Sequence, residues 1–117
     1  NQFHIDHIFP KSLFTKPKLR KRGISEEDIE TFYDWFNYLG NLQLIGAIPN
    51  IEKKDIEFKK WLNKIYPEQR NQDNFKEVHY IPNTELDFDN FIEFFEEREK
   101  LLIAEFGKIL LIEGTAE

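Results

Sequence analysis

Near its start the chain places an aspartate and two histidines inside a short apolar stretch, HIDHIFP, at residues 4–10. The surrounding apolar residues, with Pro10 closing the run, predict a β-strand over residues 3–9. Burying an ionised carboxylate such as Asp6 in a strand costs several kcal/mol unless a partner or a bound ion compensates it. The fold must therefore supply a partner for Asp6, or the protein must use this carboxylate for a task.

The composition supports one compact core. The 117 residues are 40% hydrophobic and 15% aromatic, so we expect a single domain over residues 1–117. Because Met and Cys are both absent and a polar motif lies so near the first residue, we expect the C-terminal part of a longer protein. No apolar run approaches the roughly 18 residues of a membrane span. Without cysteine there is no disulfide framework or thiolate zinc site, and we expect a cytoplasmic protein that does not contact a membrane.

The charge is unevenly distributed along the chain. A net charge of −6 argues against an indiscriminate nucleic-acid binder. Residues 1–22, however, carry one acid and six basic residues, namely Lys11, Lys16, Lys18, Arg20, Lys21 and Arg22. This segment, close to Asp6 and His7, could hold a polyanion locally. A solvated lysine-rich loop is the alternative.

A helix is predicted between two strands. Ser25 is a good N-cap and three acidic residues follow it, so a helix is predicted over residues 25–39. Residues 15–23, punctuated by Pro17 and Gly23, predict an exposed loop. The alternation in NLQLIG, at residues 41–46, predicts the second strand.

The rest of the chain is predicted to be mainly helical. Apolar residues at helical spacing from Phe58 predict a helix that ends before Pro67, and a last helix is predicted to start near Asp87 or Asp89. The predicted apolar stripe of this last helix consists of Phe88, Phe91, Ile92, Phe95, Leu102, Phe106 and Ile109. Residues 68–86 are mixed and polar, with an extended piece at 78–81. We therefore predict an α+β, mostly helical fold. Its core spans residues 1–66, and a helical extension covers residues 67–117.

Three motifs together resemble a known family: DHIFP at residues 6–10, LGNLQLI at 39–45, and NIEKKD at 50–55 leading into a helix. They resemble the HNH, or ββα-metal (His-Me finger), endonuclease motif, here with an inserted helix and a long C-terminal helix. More narrowly, they are similar to the C-terminal HNH domain of GmrSD-type restriction proteins. The resemblance implies a metal-dependent endonuclease domain that hydrolyses DNA phosphodiester bonds in a restriction or phage-defence protein. It also implies an N-terminal nucleotide-dependent domain of the same protein as a partner.

The site residues follow from these motifs. His7 is the candidate general base, because imidazole has an ordinary pKa of about 6.5 and is largely neutral at cellular pH. Asp6 and Asn50 would supply carboxylate and amide oxygens to Mg²⁺ or Mn²⁺. Asn41 matches the middle position of the motif, and its amide is expected to bond backbone groups across the loop and so orient His7. Lys53 is the candidate phosphate contact; a solvated lysine at a helix start is its alternative.

Other residues are less clearly assigned. Asn50 stands where the oldest HNH pattern has histidine, which shifts the metal preference towards Mg²⁺. His4 shares a strand face with Asp6 and could approach the metal, although a structural histidine is favoured. His79 is expected to be structural or exposed.

Two alternatives to a DNA endonuclease stay open at this point. One is a catalytically silent protein-interaction module on an HNH scaffold, and the other is a toxin-like ribonuclease. The sequence also leaves open which DNA sequence or modification is chosen. Nicking and double-strand cutting, the latter by a homodimer with two sites, are both compatible with one site per chain.

Overall fold

A computed structural model describes the backbone of residues 3–46 and 56–116, and the side chains of residues 5–43 and 56–105. The fold is α+β and mostly helical, as predicted. The strands are β1 (Phe3–His7) and β2 (Leu42–Gly46). The helices in the described ranges are α1 (Lys16–Lys21), α2 (Glu26–Trp35), α3 (Phe58–Ile65), α4 (Gln69–Val78) and α5 (Phe91–Ala116). None of these helices has both the length and the apolar character needed to cross a membrane.

The two strands form an antiparallel pair in which Asp6 lies opposite Gln43 and His7 opposite Leu42. The strand ends at His7, two residues before the predicted end, because the next two residues leave the strand pair for the core. Ile8 and Phe9 are both completely buried. The polar pair Asp6 and His7 therefore sits immediately before the point where the chain enters the hydrophobic interior.

Phe9 lies at the centre of a cluster of phenylalanine rings. Its ring centroid is 4.9 Å from Phe94, 5.7 Å from Phe58, 5.7 Å from Phe91 and 6.0 Å from Phe88, all in edge-to-face geometry. Edge-to-face ring pairs add stabilisation beyond the area they bury. Because the four rings come from α3, from α5 and from the turn before α5, they fix the end of β1 relative to the helices.

Helix α2 begins as predicted. The Ser25 hydroxyl accepts a hydrogen bond from the Asp28 backbone N–H at 3.2 Å, and Ile29 and Phe32 bury its apolar face. The helix ends at Trp35 rather than at residue 39, because the Tyr38 N–H donates to the Trp35 carbonyl and turns the chain. A short 3₁₀ turn, Leu39–Asn41, then leads into β2.

The prediction of an exposed loop over residues 15–23 is wrong, because helix α1 lies within this range. Pro17 occupies the first turn of the helix, where its missing N–H is not needed. Leu19 is completely buried and anchors the helix, and Gly23 follows with a φ of 86°. Proline and glycine here mark the two ends of a helix rather than a loop.

Helix α4 lies inside the predicted helical extension, where no individual helix was predicted, and the extended piece proposed from residue 78 is wrong at its first residue. This helix is polar along most of its length and is attached mainly through Phe75 and Gln72, both buried. The Phe75 ring lies 5.4 Å from the Trp61 ring and 5.3 Å from the Tyr66 ring. Two buried side chains on a ten-residue helix give too weak an apolar stripe for periodicity to detect.

Helix α5 starts close to the predicted position, after a 3₁₀ turn at Phe88–Asn90. Phe91 and Phe95 are buried, as the predicted stripe requires. The stripe omitted Phe94 and Arg98, which are also buried. The side chains of Phe106 and Ile109, the far end of the predicted stripe, lie outside the described residues.

Candidate active site

Asp6 has a partner from the opposite strand. Its side chain is 8% exposed, and its Oδ2 accepts a hydrogen bond from Gln43 Nε2 at 3.0 Å. The strand register places these two residues directly opposite each other, so the backbone itself sets the pairing. The partner that a buried carboxylate requires is thus, at least in part, an amide from β2.

His7 is half-buried at the end of β1 and is held by a residue that the sequence analysis missed. Its Nε2 lies 2.7 Å from Asn37 Oδ1, and its ring centroid is 6.1 Å from that of Phe36. An amide oxygen only accepts hydrogen bonds, so Nε2 carries the proton in this pair. Nδ1 is then the nitrogen of the ring that can take up a proton.

Asn41 is completely buried and bonds the backbone on both sides of the loop. Its Oδ1 accepts from the Phe9 N–H at 2.8 Å, and its Nδ2 donates to the carbonyls of Phe9 at 3.1 Å and Phe36 at 2.9 Å. These bonds tie the segment that follows His7 to the segment that precedes Asn37. The two residues of the His7–Asn37 pair are therefore held together by a third.

The turn that carries Asn41 is also fixed from α5. Arg98 Nη1 donates to the Leu39 carbonyl at 2.7 Å, and the neighbouring Gly40 packs against the Phe95 ring. Arg98 is 3% exposed, and its Nε and Nη2 donate to the His79 carbonyl. Burial lowers the pKa of Arg98 to about 10. An arginine within an acidic helix resembles a surface residue in the sequence, which is why its role was missed.

His79 is half-buried, with its ring centroid 4.3 Å from that of Phe75. Its pKa is lowered from the ordinary value by burial and by the charge of Arg98, while the charge of Asp6 opposes that shift. The structural role expected for His79 agrees with this packing. The influence of Asp6 also indicates that His79 borders the same region.

The predicted site extends beyond the described residues. Asn50 and Lys53 lie outside the described residues, as does the side chain of His4. Within the described ranges, no group of three or more His, Asp or Glu side chains comes together to hold a metal ion. The described part of the predicted metal site is the Asp6 carboxylate, with the buried Oε1 of Gln43 beside it on the partner strand. In that part of the chain, this oxygen accepts no hydrogen bond. The Asp6 carboxylate offers the hard oxygen atoms that Mg²⁺ prefers as ligands.

The basic segment is less available to a polyanion than its composition indicates. Lys16 pairs with Glu30 at 3.2 Å and Arg20 with Glu26 at 2.8 Å. Arg22 pairs with Asp89 at 3.1 Å and Glu57 at 3.4 Å, and Lys18 donates to the Ser12 carbonyl. Much of the positive charge of residues 16–22 is thus balanced by acidic residues of the same chain.

A family model for the C-terminal domain of GmrSD restriction endonucleases matches residues 1–105. The matched range includes both strands, helices α1 to α4 and the first part of α5. No curated protein shows a significant match to the chain.

Proposed function

Since the chain belongs to the C-terminal domain family of GmrSD restriction endonucleases, we propose that it is a metal-dependent HNH endonuclease domain that hydrolyses DNA phosphodiester bonds. The family predicted from the three motifs is confirmed, and a nuclease function of the restriction-endonuclease type follows from it. Metal dependence, DNA as the substrate and a role in phage defence belong to the proposal. So do a cytoplasmic location and coupling to an N-terminal nucleotide-dependent domain.

The observation that carries the proposal is the rigid placement of Asp6 and His7. The chain that follows them is held through the Phe9 backbone by Asn41 and through the Phe9 ring by four other phenylalanines. Catalytic groups need a fixed geometry, and rigid elements provide it better than loops do. A purely interacting surface has no need to hold a carboxylate and an imidazole in this way.

His7 is the proposed general base. Because Asn37 Oδ1 accepts a hydrogen bond from Nε2 of His7 at 2.7 Å, Nδ1 is the ring nitrogen proposed to accept a proton. It would take a proton from the water that attacks the phosphorus atom. Asn41, which fixes the segments carrying both His7 and Asn37, is proposed to maintain this pair.

Asp6 is the proposed metal ligand in the described part of the chain, and Asn50 is the second. If the site held Mg²⁺ or Mn²⁺, the positive charge of the ion would stabilise the negative charge that develops on the phosphate and on the leaving oxygen. Asp6 supports the assignment because it is buried, and it is oriented by Gln43. Lys53 remains the proposed phosphate contact on sequence grounds alone.

A plasmid-cleavage assay tests the proposal. The chain is incubated with supercoiled plasmid, modified or unmodified, in the presence of Mg²⁺, Mn²⁺ or EDTA. The expected result is cutting that needs the metal and that Asp6→Asn abolishes. Asp73→Asn is the matched control, because it removes an exposed carboxylate of α4 that pairs only with Gln69 in the described part of the chain. It should cut at the wild-type rate.

The other results of this assay identify the alternatives. If neither metal supports cutting, the same assay on the full-length protein decides, and no cutting there would contradict the proposal and support a silent interaction module. Cleavage of a structured RNA under conditions that leave the plasmid intact would support a ribonuclease. The ratio of nicked to linear plasmid, measured against protein concentration, would show whether two copies act together.

A further inference from the structure

Exposed apolar side chains from three separate parts of the fold surround one cavity. Ile5 of β1, Leu39 of the turn before β2 and Val78 of α4 are 71%, 64% and 68% exposed. All three line a cavity of about 490 Å³, which Leu42 and Leu102 also border. Single exposed apolar residues are ordinary on a protein surface, whereas several gathered around one cavity are typical of an interaction site.

A second cavity, of about 680 Å³, adjoins the first. Val78 and Tyr80 line both cavities, and Leu101 of α5 lines the second. The two cavities therefore meet at the C-terminal end of α4, and we call the combined surface the α4–α5 groove. Its apolar rim is too exposed to enclose a small molecule, because small-molecule sites bury most of the surface of their ligand. An open groove of this kind fits a segment of polypeptide instead.

The first cavity also contains a buried positive charge. Arg98 lines this cavity and is 3% exposed, and its guanidinium donates to the carbonyls of Leu39 and His79. Among the residues that the structure describes, no carboxylate forms an ion pair with it. Buried arginines are nearly always paired with an acid in folded proteins. An unpaired buried cation beside an exposed apolar surface therefore favours an acidic occupant.

The charge of the rest of the chain makes this cation unusual. The protein has 22 acidic residues against 16 basic ones, yet no acidic residue of the described ranges lines the first cavity. A guanidinium has five N–H groups, and three of those of Arg98 donate to backbone carbonyls, so an incoming carboxylate need not displace these bonds. Because the cavity walls are largely apolar, opposite charges attract each other more strongly there than in bulk water.

Tyr80 is held in a strained conformation between the two cavities. It follows α4 with a φ of 56°, the left-handed conformation that glycine usually adopts at a helix end. The Ile81 N–H donates to the Lys76 carbonyl at 2.8 Å and closes this helix end. Glycine would adopt the same conformation without strain, so the backbone does not require tyrosine here. A tyrosine ring does suit a protein interface, where its apolar body and its hydroxyl group both find contacts.

We propose that the α4–α5 groove binds a segment of a partner polypeptide in which an aspartate or glutamate lies between apolar residues. The apolar side chains of the segment cover Ile5, Leu39 and Val78, and its carboxylate approaches Arg98. This binding surface goes beyond the proposed nuclease function and does not depend on it.

Selection from a phage-displayed library of random peptides on the immobilised chain tests the proposal. The selected peptides should carry an aspartate or glutamate next to apolar residues. One of them, synthesised with a fluorescent label, then reports its affinity for the chain through fluorescence anisotropy. The same peptide with its acid replaced by the corresponding amide should bind about tenfold more weakly or worse, because it loses the attraction to Arg98.

Variants of the exposed rim locate the binding surface. Val78→Glu should weaken peptide binding by about tenfold or more, because it removes an apolar contact and repels the acid of the peptide. Ile103→Glu is the matched control and should bind as the wild type does, since Ile103 is 64% exposed on α5 and lines neither cavity. Tyr80→Gly should weaken binding while it keeps or raises the urea midpoint, because glycine relieves the strain at this position.

The results separate the possible occupants. Peptides that need their acid, and that bind Ile103→Glu but not Val78→Glu, would support the proposal. It would be overturned by a library that yields no binder, by peptides that bind Val78→Glu as tightly as the wild type, or by equal binding of the acidic and amide peptides. A dimer that Val78→Glu dissociates in sedimentation equilibrium would also overturn it, and would identify a second copy of the chain as the occupant.

Discussion

The turn at Leu39–Asn41 and the strand pair of Asp6 and Gln43 adjoin in the chain, yet they treat buried amides in opposite ways. Asn41 bonds through both its amide nitrogen and its amide oxygen, to the backbone of Phe9 and Phe36. Gln43 gives its nitrogen to Asp6 and keeps a buried oxygen that accepts nothing from the described part of the chain. Both polar atoms of the Asn41 amide are hydrogen-bonded within the residues that the structure describes, whereas the oxygen of the Gln43 amide is not.

Under the proposed function, this difference would separate residues that build the site from residues that take part in its chemistry. A buried polar group whose partners are all in the protein stabilises one backbone geometry. A buried polar group with a remaining acceptor costs stability, and it is tolerated where a ligand repays that cost. The turn should therefore respond to mutation mainly through stability, and the strand pair mainly through ligand binding and rate.

The largest expected effect on stability is that of Asn41→Ala. It leaves one N–H and two carbonyl groups without their partner, and should lower the free energy of unfolding by about 3 kcal/mol. Urea unfolding followed by tryptophan fluorescence measures the loss. Asn71→Ala, which removes an exposed amide from α4, should change the unfolding free energy very little. Equal effects of the two substitutions would show that the turn does not depend on Asn41.

Gly40→Ala tests the same turn from the side of α5. A Cβ at this position would lie 2.6 Å from Cδ2 of Phe95, so the substitution should cost about 2 kcal/mol through overpacking. Phe95→Leu in the same chain should recover part of the loss. In Gly23→Ala the added Cβ meets nothing within 4 Å, and only the positive φ is strained, at a cost of about 1 kcal/mol. Urea unfolding that gave the reverse order would contradict the close packing of the turn on α5.

Gln43→Met sharpens the comparison by its small effect on the fold. Gln43→Met takes one hydrogen bond from the buried Asp6 carboxylate, at a cost of about 1–3 kcal/mol, and removes an unsatisfied buried oxygen, which offsets part of that cost. The net loss in the free energy of unfolding should therefore be smaller than that of Asn41→Ala. The same urea experiment without metal measures it. A loss as large as that of Asn41→Ala would mean that Gln43, too, serves the fold, and the distinction between the two regions would fail.

The smallest expected effect concerns pH. Because burial and Arg98 lower the pKa of His79 below 6.5, the unfolded chain takes up its proton at a higher pH than the folded chain does. The stability that neutral His79 provides is therefore complete above the unfolded pKa and is lost as the pH falls through the lower folded pKa. His79→Gln should make the unfolding free energy less sensitive to pH between about 7.5 and 5. An unchanged slope in urea titrations would rule out this contribution.

Sequence analysis succeeded where the signals are local. The Ser25 cap and the spacing of Phe58, Trp61 and Leu62 identified α2 and α3, because capping and periodicity act within a few residues. Helices α1 and α4 were missed because single buried residues such as Leu19 and Phe75 hold them through tertiary packing. Such anchors become visible only when the surrounding core is known.

The candidate site was predictable only in part for a related reason. Asp6, His7 and Asn41 were proposed as site residues through their motif. Gln43 and Asn37 were missed because their roles depend on pairing across a long insertion. The alternation of β2 marked Gln43 as the polar side of a strand, but only the register places it opposite Asp6. No spacing rule links Asn37 to a histidine 30 residues earlier in the chain.

The most direct test of the account is the single-turnover rate of plasmid cleavage by His7→Ala, at equal concentrations of folded protein. His7 is half-buried and its hydrogen bond to Asn37 lies at the surface, so the substitution should leave the urea midpoint nearly unchanged. The rate should fall by about 100-fold or more through loss of the general base. Asn37→Ala should cost about tenfold, because the base survives without its orienting partner. Cleavage by His7→Ala at the wild-type rate would contradict the central claim that this strand end is built to activate water.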